Sequence, residues 1–191
     1  MNVISFVGCM GCGKSSWTSV LTRSGYHATM EDLGRNPFLH HYWSQGDYPF
    51  HTQVSFYTHW LSQYLDASKY EKSIMDSSVI SHHEVFTHHM YMEGILTESE
   101  YAVCCDLYNS VIELSDCRFI YLRCDEQELY RRIQCRNREH ELNSKAYVST
   151  LHQRLEFIAS HNSHIVRSID ITSLSPSCKS DLEQFLFMLE E

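Results

Sequence analysis

The chain opens with a short, mainly apolar, β-branched run at residues 2–7 (NVISFV). Successive strand side chains point to opposite faces of a sheet, so a run without a polar face predicts a strand buried on both sides, as in a parallel sheet covered by helices. Further short strands are expected at residues 26–30, 72–77, 118–123 and 164–171. Between them the apolar positions change to helical spacing. A helix is expected from Ser15 to Thr22, and a long one over residues 50–65, where Val54, Tyr57, Leu61 and Leu65 form the stripe. Further helices are expected over residues 78–90 and 99–114, from Asp125 onward with Leu129 and Ile133 on one face, and over residues 143–160 and 178–189. Gly34 and Pro37 mark a loop, residues 38–43 are rich in aromatics, and residues 45–49 read as a turn. Strand and helix alternate with no repeat, low-complexity tract or linker, which predicts one α/β domain over residues 1–191.

Length and charge narrow the picture. With 191 residues, 43% of them hydrophobic, the chain can fill one core. Its net charge of -9 argues against a nucleic-acid partner, because a phosphate-backbone reader carries a basic surface. No leader pattern and no apolar run of about 20 residues is present, so no membrane association is expected and the protein is read as soluble and cytoplasmic. The eight cysteines are scattered and expected to be reduced.

The chemistry begins with residues 8–16, GCMGCGKSS, which satisfy the phosphate-binding pattern G-x-x-x-x-G-K-[ST]. A strand precedes it and a helix follows, as this grip requires. Gly8, Gly11 and Gly13 let the backbone curl, so that N–H groups through Cys12 and Ser16 and the helix N-terminus face an anion. Lys14 reaches the β/γ-phosphates, and Ser15 holds Mg²⁺. Cys9 and Cys12 form a C-x-x-C within the loop, read as coincidence, with a redox switch as the lesser alternative. His82, His83, His88 and His89 lack partners at metal-ligand spacing and are expected on a helix surface. Glu31 and Asp32 follow the second strand and Asp76 ends the third, at the sheet edge where α/β folds bind ligands. Gln53 lies among aromatics, with Trp60 one to two turns on, and an arginine-rich segment (Arg131, Arg132, Arg136, Arg138) mixes with Glu139 and Glu141.

In order and spacing these landmarks resemble the deoxynucleoside kinase family, the group containing deoxycytidine, deoxyguanosine and bacterial deoxyadenosine kinases. The resemblance rests on the phosphate loop, EDLGRNPF from Glu31, FHTQVSFY around Gln53, MDSSVISHHEVF, and YLR followed by RRIQCRNREHE. It implies a P-loop NTPase fold, a five-stranded parallel sheet flanked by helices, with an arginine-rich lid at about residues 132–143. It further implies a homodimer formed through helices, ATP as phosphate donor, Mg²⁺, and transfer to the 5′-hydroxyl of a deoxynucleoside. By the same resemblance Glu31 is the base for the 5′-hydroxyl proton and Tyr42 a partner of the 3′-hydroxyl. Gln53 reads the base edge and Phe86 stacks on it. Arg136 and Arg138 neutralise the transferred phosphoryl group, Arg132 lies near it, Glu141 reaches the sugar, and Asp76 joins Ser15 at the metal. The adenine loop falls near residues 171–177.

Four positions depart from the family pattern. Ser77 stands where an arginine is expected, Trp60 in place of another, His82 in place of an aspartate and His140 in place of a glutamate. Trp60 and His82 remain candidate base contacts, but neither carries the charge it replaces, which leaves the base open. Two alternatives follow: a nucleoside monophosphate kinase, for which Arg35 is the nearby cation, or a nucleotide-binding assembly protein that has lost catalysis.

Overall fold

A computed structural model describes residues 2–136 and 144–190. Five strands, β1 (Asn2–Val7), β2 (His27–Thr29), β3 (Lys72–Met75), β4 (Cys117–Arg123) and β5 (Ile165–Asp170), form one parallel sheet in the order β2-β3-β1-β4-β5. β1 lies at its centre, with Ile4 beside Ile74 on β3 and Phe6 beside Ile120 on β4. Val3, Phe6, Val7, Ile74 and Ile120 are wholly buried, as an apolar run without a polar face requires.

The described helices are α1 (Lys14–Leu21), α2 (Leu39–Gln45), α3 (Pro49–Ala67), α4 (His88–Met92), α5 (Glu98–Leu114), α6 (Glu126–Arg136), α7 (Lys145–His161) and α8 (Lys179–Glu190). α1 is anchored by Trp17, which stacks on Phe185 of α8 with ring centroids 4.1 Å apart, while Phe6 of β1 meets the same ring edge-on at 6.0 Å. Strand, first helix and last helix therefore share one aromatic cluster that fixes the direction in which α1 leaves the phosphate loop. Among the described residues no helix is long and apolar enough to cross a membrane.

The elements depart from the sequence pattern in three places. Residues 38–45, read as an aromatic stretch and a turn, contain α2, which ends at Gly46 in the left-handed conformation (φ 79°). The helix expected over residues 78–90 has a π-helical stretch, Ser81–Thr87, running into α4. There the Thr87 hydroxyl lies 2.9 Å from the His82 carbonyl and from Gln53 Oε1, its one proton serving either acceptor, and the first contact competes with the regular ladder. On α3 the buried stripe is Gln53, Tyr57, Trp60, Tyr64 and Ala67, whereas Leu65 is exposed; the hydrophobic periodicity had the right period but the wrong phase.

The turn from β1 into α1 depends on glycine at two points. Gly13, the residue before α1, has φ 105°, and Gly11 has φ 80°. A Cβ on Gly11 would come within 2.7 Å of Ile133 Cγ1 and 3.1 Å of the Leu129 carbonyl on α6. Gly11→Ala therefore combines left-handed strain with a clash against helix backbone. The expected cost is about 2 kcal/mol, a fall in Tm of roughly 4–8 °C for a domain of this size, read from a thermal melt against wild type.

Candidate active site

Because the strands are parallel, the segments that follow β1, β2 and β3 emerge together at one edge of the sheet. One cavity of about 1050 Å³ lies there. The phosphate loop forms one end, contributing Gly8, Gly11, Gly13, Lys14, Ser15 and Ser16. The ammonium of Lys14 donates to the carbonyls of Gly8 (2.7 Å) and Cys9 (3.0 Å), which holds it over its own loop. Cys12 is wholly buried, and its carbonyl accepts from Arg132 Nη1 at 2.9 Å. Arg132 also donates to Glu128 at 2.7 Å and to the Thr172 carbonyl at 3.2 Å, so it ties the phosphate loop to the segment after β5. Arg131 and Arg132 together hold the Glu128 carboxyl down at about 2. Residues 172–176, within the stretch expected to bind adenine, line the same end, and Arg136 of α6 faces the cavity as well. Arg138, His140 and Glu141, with the remainder of the expected lid, lie outside the described residues.

At the middle of the cavity stand Asp76 and Glu31. The Glu31 backbone N–H donates to Asp76 Oδ1 at 2.5 Å, which joins the ends of β2 and β3. Burial pushes the Asp76 carboxyl above its ordinary value, an effect moderated by the Ser15 hydroxyl, the Glu31 N–H and the charge of Lys14. A buried carboxylate beside a hydroxyl at a phosphate loop suits a hard divalent cation, which needs few protein oxygens when substrate phosphates complete its shell. Among the described residues no group of three or more His, Cys, Asp or Glu converges as a metal site.

The far end is an apolar and aromatic pocket. Tyr42, Phe56, Phe86 and Met90 line it, with the Gln53 amide at its wall. The amide is fixed from behind: Oε1 accepts from the Thr87 hydroxyl at 2.9 Å and Nε2 donates to Met90 Sδ at 3.1 Å. Thr87 is linked to Tyr57 (2.9 Å) and Tyr57 to His83 Nδ1 (2.8 Å), so a buried polar chain orients the Gln53 amide. The sequence placed Tyr57 on an apolar stripe and His83 on a helix surface, and nothing in it pointed to Thr87 or to a polar chain through the three. The Ser81 hydroxyl, also on the cavity wall, is buried with no hydrogen-bond partner among the described residues.

Several sequence expectations change here. Trp60 does not line the cavity: it is 1% exposed, stacks between Tyr64 and Phe119, and donates Nε1–H to the Ser77 carbonyl at 3.1 Å. Its single donor is used to hold the end of β3, together with the Ser5 hydroxyl at 2.7 Å, so it is no base contact. His82 and His83 are buried, not on a helix surface. His82 lies on the cavity wall with Nε2 3.3 Å from Glu31 Oε1. Cys9 and Cys12 are buried free thiols, and burial pushes Cys9 up to about 12, the reverse of a reactive thiolate.

The sequence of residues 4–190 matches the family described as Deoxynucleoside kinase. No curated protein matches the chain. Among solved structures, deoxyadenosine kinase from M. mycoides with bound dCTP aligns at a TM-score of 0.80 and 25% identity, covering 100% of this chain and 99% of that one. The deoxyadenosine kinase from M. mycoides with bound dATP aligns at 0.81 and 24% identity, covering 100% of both chains. With a phosphate loop, a carboxylate at the centre and an aromatic pocket in one cavity, and with the family matched across nearly its whole length, the chain belongs to the deoxynucleoside kinase family and is a kinase that phosphorylates nucleosides.

Proposed function

We propose that this enzyme transfers the γ-phosphoryl group of ATP to the 5′-hydroxyl of a deoxynucleoside, with Glu31 as general base. The observation that carries the proposal is the order of groups along the cavity. A chain of contacts sets that order: Ser15 bonds Asp76, Asp76 accepts from the Glu31 N–H, Glu31 lies 3.3 Å from His82, and the His82 carbonyl and Gln53 share Thr87, with Lys14 and Phe86 lining the same cavity. A nucleoside seated on Gln53 and Phe86 directs its sugar toward Glu31 and the phosphate loop. Tyr42, held largely out of water, supplies a hydroxyl to that sugar. The Glu31 carboxylate takes the hydroxyl proton as the new P–O bond forms and ADP departs. Lys14 and Arg136 offset charge on the phosphoryl oxygens. Mg²⁺, held through Ser15 and Asp76, would supply further neutralisation of the phosphates. Arg138 and Glu141 complete the lid in this reading.

A monophosphate acceptor fits less well. Arg35, its one candidate cation, does not line the cavity, and Glu31 would repel an acceptor phosphate. The M. mycoides enzyme binds dCTP and dATP. Adenine and cytosine each present a donor beside an acceptor on the pairing edge, which the Gln53 amide complements. Guanine and thymine also offer such a pair, so it is the ligands of the M. mycoides enzyme that make deoxyadenosine and deoxycytidine the expected acceptors. Assembly as a homodimer through helices belongs to the same reading, and Leu65 of α3 and Leu114 of α5 are exposed apolar residues available for it.

Glu31→Gln keeps the shape and hydrogen-bonding capacity of the side chain but removes the anion. Turnover of deoxyadenosine or deoxycytidine is expected to fall by on the order of 10²–10⁴, with ATP affinity unchanged within about threefold. Steady-state kinetics and ATP titration measure the two, and turnover unaffected by the substitution removes Glu31 from the role of base.

Asp76 gives a prediction about stability. A carboxyl raised by burial favours the folded state only in acid, below its unfolded value of about 3.9, and that contribution is lost as pH rises through the folded value. At pH 7 ionised Asp76 is therefore a cost to the fold. Asp76→Asn keeps an oxygen for the Glu31 N–H and is expected to leave Tm unchanged or higher at pH 7, while Mg²⁺-dependent turnover falls by about a hundredfold or more. Melts at pH 7 and turnover against Mg²⁺ concentration check both; a lower Tm contradicts the assignment.

A further inference from the structure

His82 stands next to the Glu31 carboxylate, and neither the phosphate loop nor the base pocket accounts for it. Its Nε2 is 3.3 Å from Glu31 Oε1, with the His82 side chain 9% exposed and that of Glu31 28%. The imidazole is held by one face and by its backbone. Its ring stacks on Phe56 of α3, with centroids 4.7 Å apart and planes 14° from parallel. Its backbone N–H donates to the Ser78 carbonyl at 3.1 Å, and its carbonyl accepts from Thr87 at 2.9 Å. The root of Glu31 is fixed as well, by its N–H on Asp76. A glutamate side chain has several rotors, and each neighbour that holds its carboxylate raises the fraction of time that a base spends in reacting geometry. A separation of 3.3 Å is long for an N–H···O bond, as catalytic contacts often are before substrate is seated.

We propose that His82 is a positioning residue for Glu31: its Nε2–H engages Oε1 and holds Oε2 toward the substrate hydroxyl. The inference rests on the reading of Glu31 as the base. His82 keeps its proton throughout. The hydroxyl proton ends on Glu31 as the bond from O5′ to the γ-phosphorus forms and the bond from that phosphorus to the ADP oxygen breaks. This differs from a base-reading role for position 82, because an imidazole that contacts the base sets KM and base preference, whereas one that aims Glu31 sets kcat.

The test compares wild type, His82→Phe, His82→Gln, Glu31→Gln and the double variant with Phe at 82 and Gln at 31, using Mg·ATP with deoxyadenosine and deoxycytidine. His82→Phe retains a flat ring against Phe56 but has no donor. It is expected to lower kcat on the order of 10- to 100-fold, with KM and base preference within about threefold of wild type. His82→Gln loses the stack but restores a donor, and is expected to recover at least a third of that loss on a logarithmic scale. In the Glu31→Gln background His82→Phe is expected to change kcat less than about twofold, because the group it positions is no longer a base. Should His82→Phe not fold, His82→Asn, too short to reach Oε1, must show the same kcat loss. If Glu31→Gln lowers kcat and His82→Phe does not, the positioning role is overturned while the base remains. A rise in KM with altered base preference and intact kcat overturns it in favour of base reading, and better activity in His82→Phe than in His82→Gln overturns it in favour of packing. An unaffected Glu31→Gln enzyme overturns both readings together.

Discussion

All five strands run the same way, so every strand delivers the residues that follow it to one edge of the sheet, and the site depends on that constraint. Gly8, Glu31 and Asp76 are far apart in the sequence, yet they follow β1, β2 and β3 within two residues and meet at that edge. Burial of β1 between β3 and β4 makes their relative positions rigid. The ends are then pinned by polar bonds: Glu31 N–H on Asp76, and the Ser77 carbonyl held by Ser5 and Trp60. The Trp17–Phe185 stack aims α1, and with it Lys14 and Ser15, at the same point.

This arrangement gathers ionisable groups where water is scarce, and their opposing effects define the chemistry. Burial raises Asp76, whereas its neighbours Ser15 and Lys14 pull it back. The balance leaves a carboxylate suited to partnership with a cation. Gln53 sits in a different environment, buried among apolar groups, and is satisfied by Thr87 and Met90. An unpaired buried amide would be costly, so the chain through Tyr57 and His83 serves the fold and orients the amide at once. Arg132 has a comparable double task, bracing the phosphate loop from α6 while lining its cavity.

Most of the architecture was legible because its signals were local. The central strands announced themselves as mainly apolar runs, and the phosphate loop as a fixed spacing of Gly, Lys and Ser, whereas β2 (HAT) and β5 (IVRSID), at the sheet edges, are mixed in character. What the sequence missed depended on side-chain direction. Val54, Tyr57, Leu61 and Leu65 have helical spacing, but α3 turns Gln53, Tyr57, Trp60 and Tyr64 inward, a phase set by contacts with β3, β4 and the π-helical segment. Trp60, a candidate base contact only because it stands where the family has an arginine, is part of that inward stripe and donates to the Ser77 carbonyl. α2 was hidden because its aromatics and histidines have weak helix preference, although Gly46 beyond its end was a readable stop signal. The burial of His82 and His83 follows from the π-helical stretch, which no residue pattern announces. Departures from the family pattern at Ser77 and His82 were visible in sequence, but the proximity of His82 to Glu31 was not.

The central claim is that a carboxylate between phosphate loop and base pocket directs phosphoryl transfer to a neutral nucleoside's primary hydroxyl. The most direct measurement is the position of the phosphate in the product formed from deoxyadenosine or deoxycytidine with Mg·ATP, read by mass and by proton-coupled phosphorus NMR. The account predicts a nucleoside monophosphate whose phosphorus couples to the two protons of the 5′-methylene group. A phosphate on the 3′ carbon, or product formed only when a nucleoside monophosphate is supplied as acceptor, would contradict it.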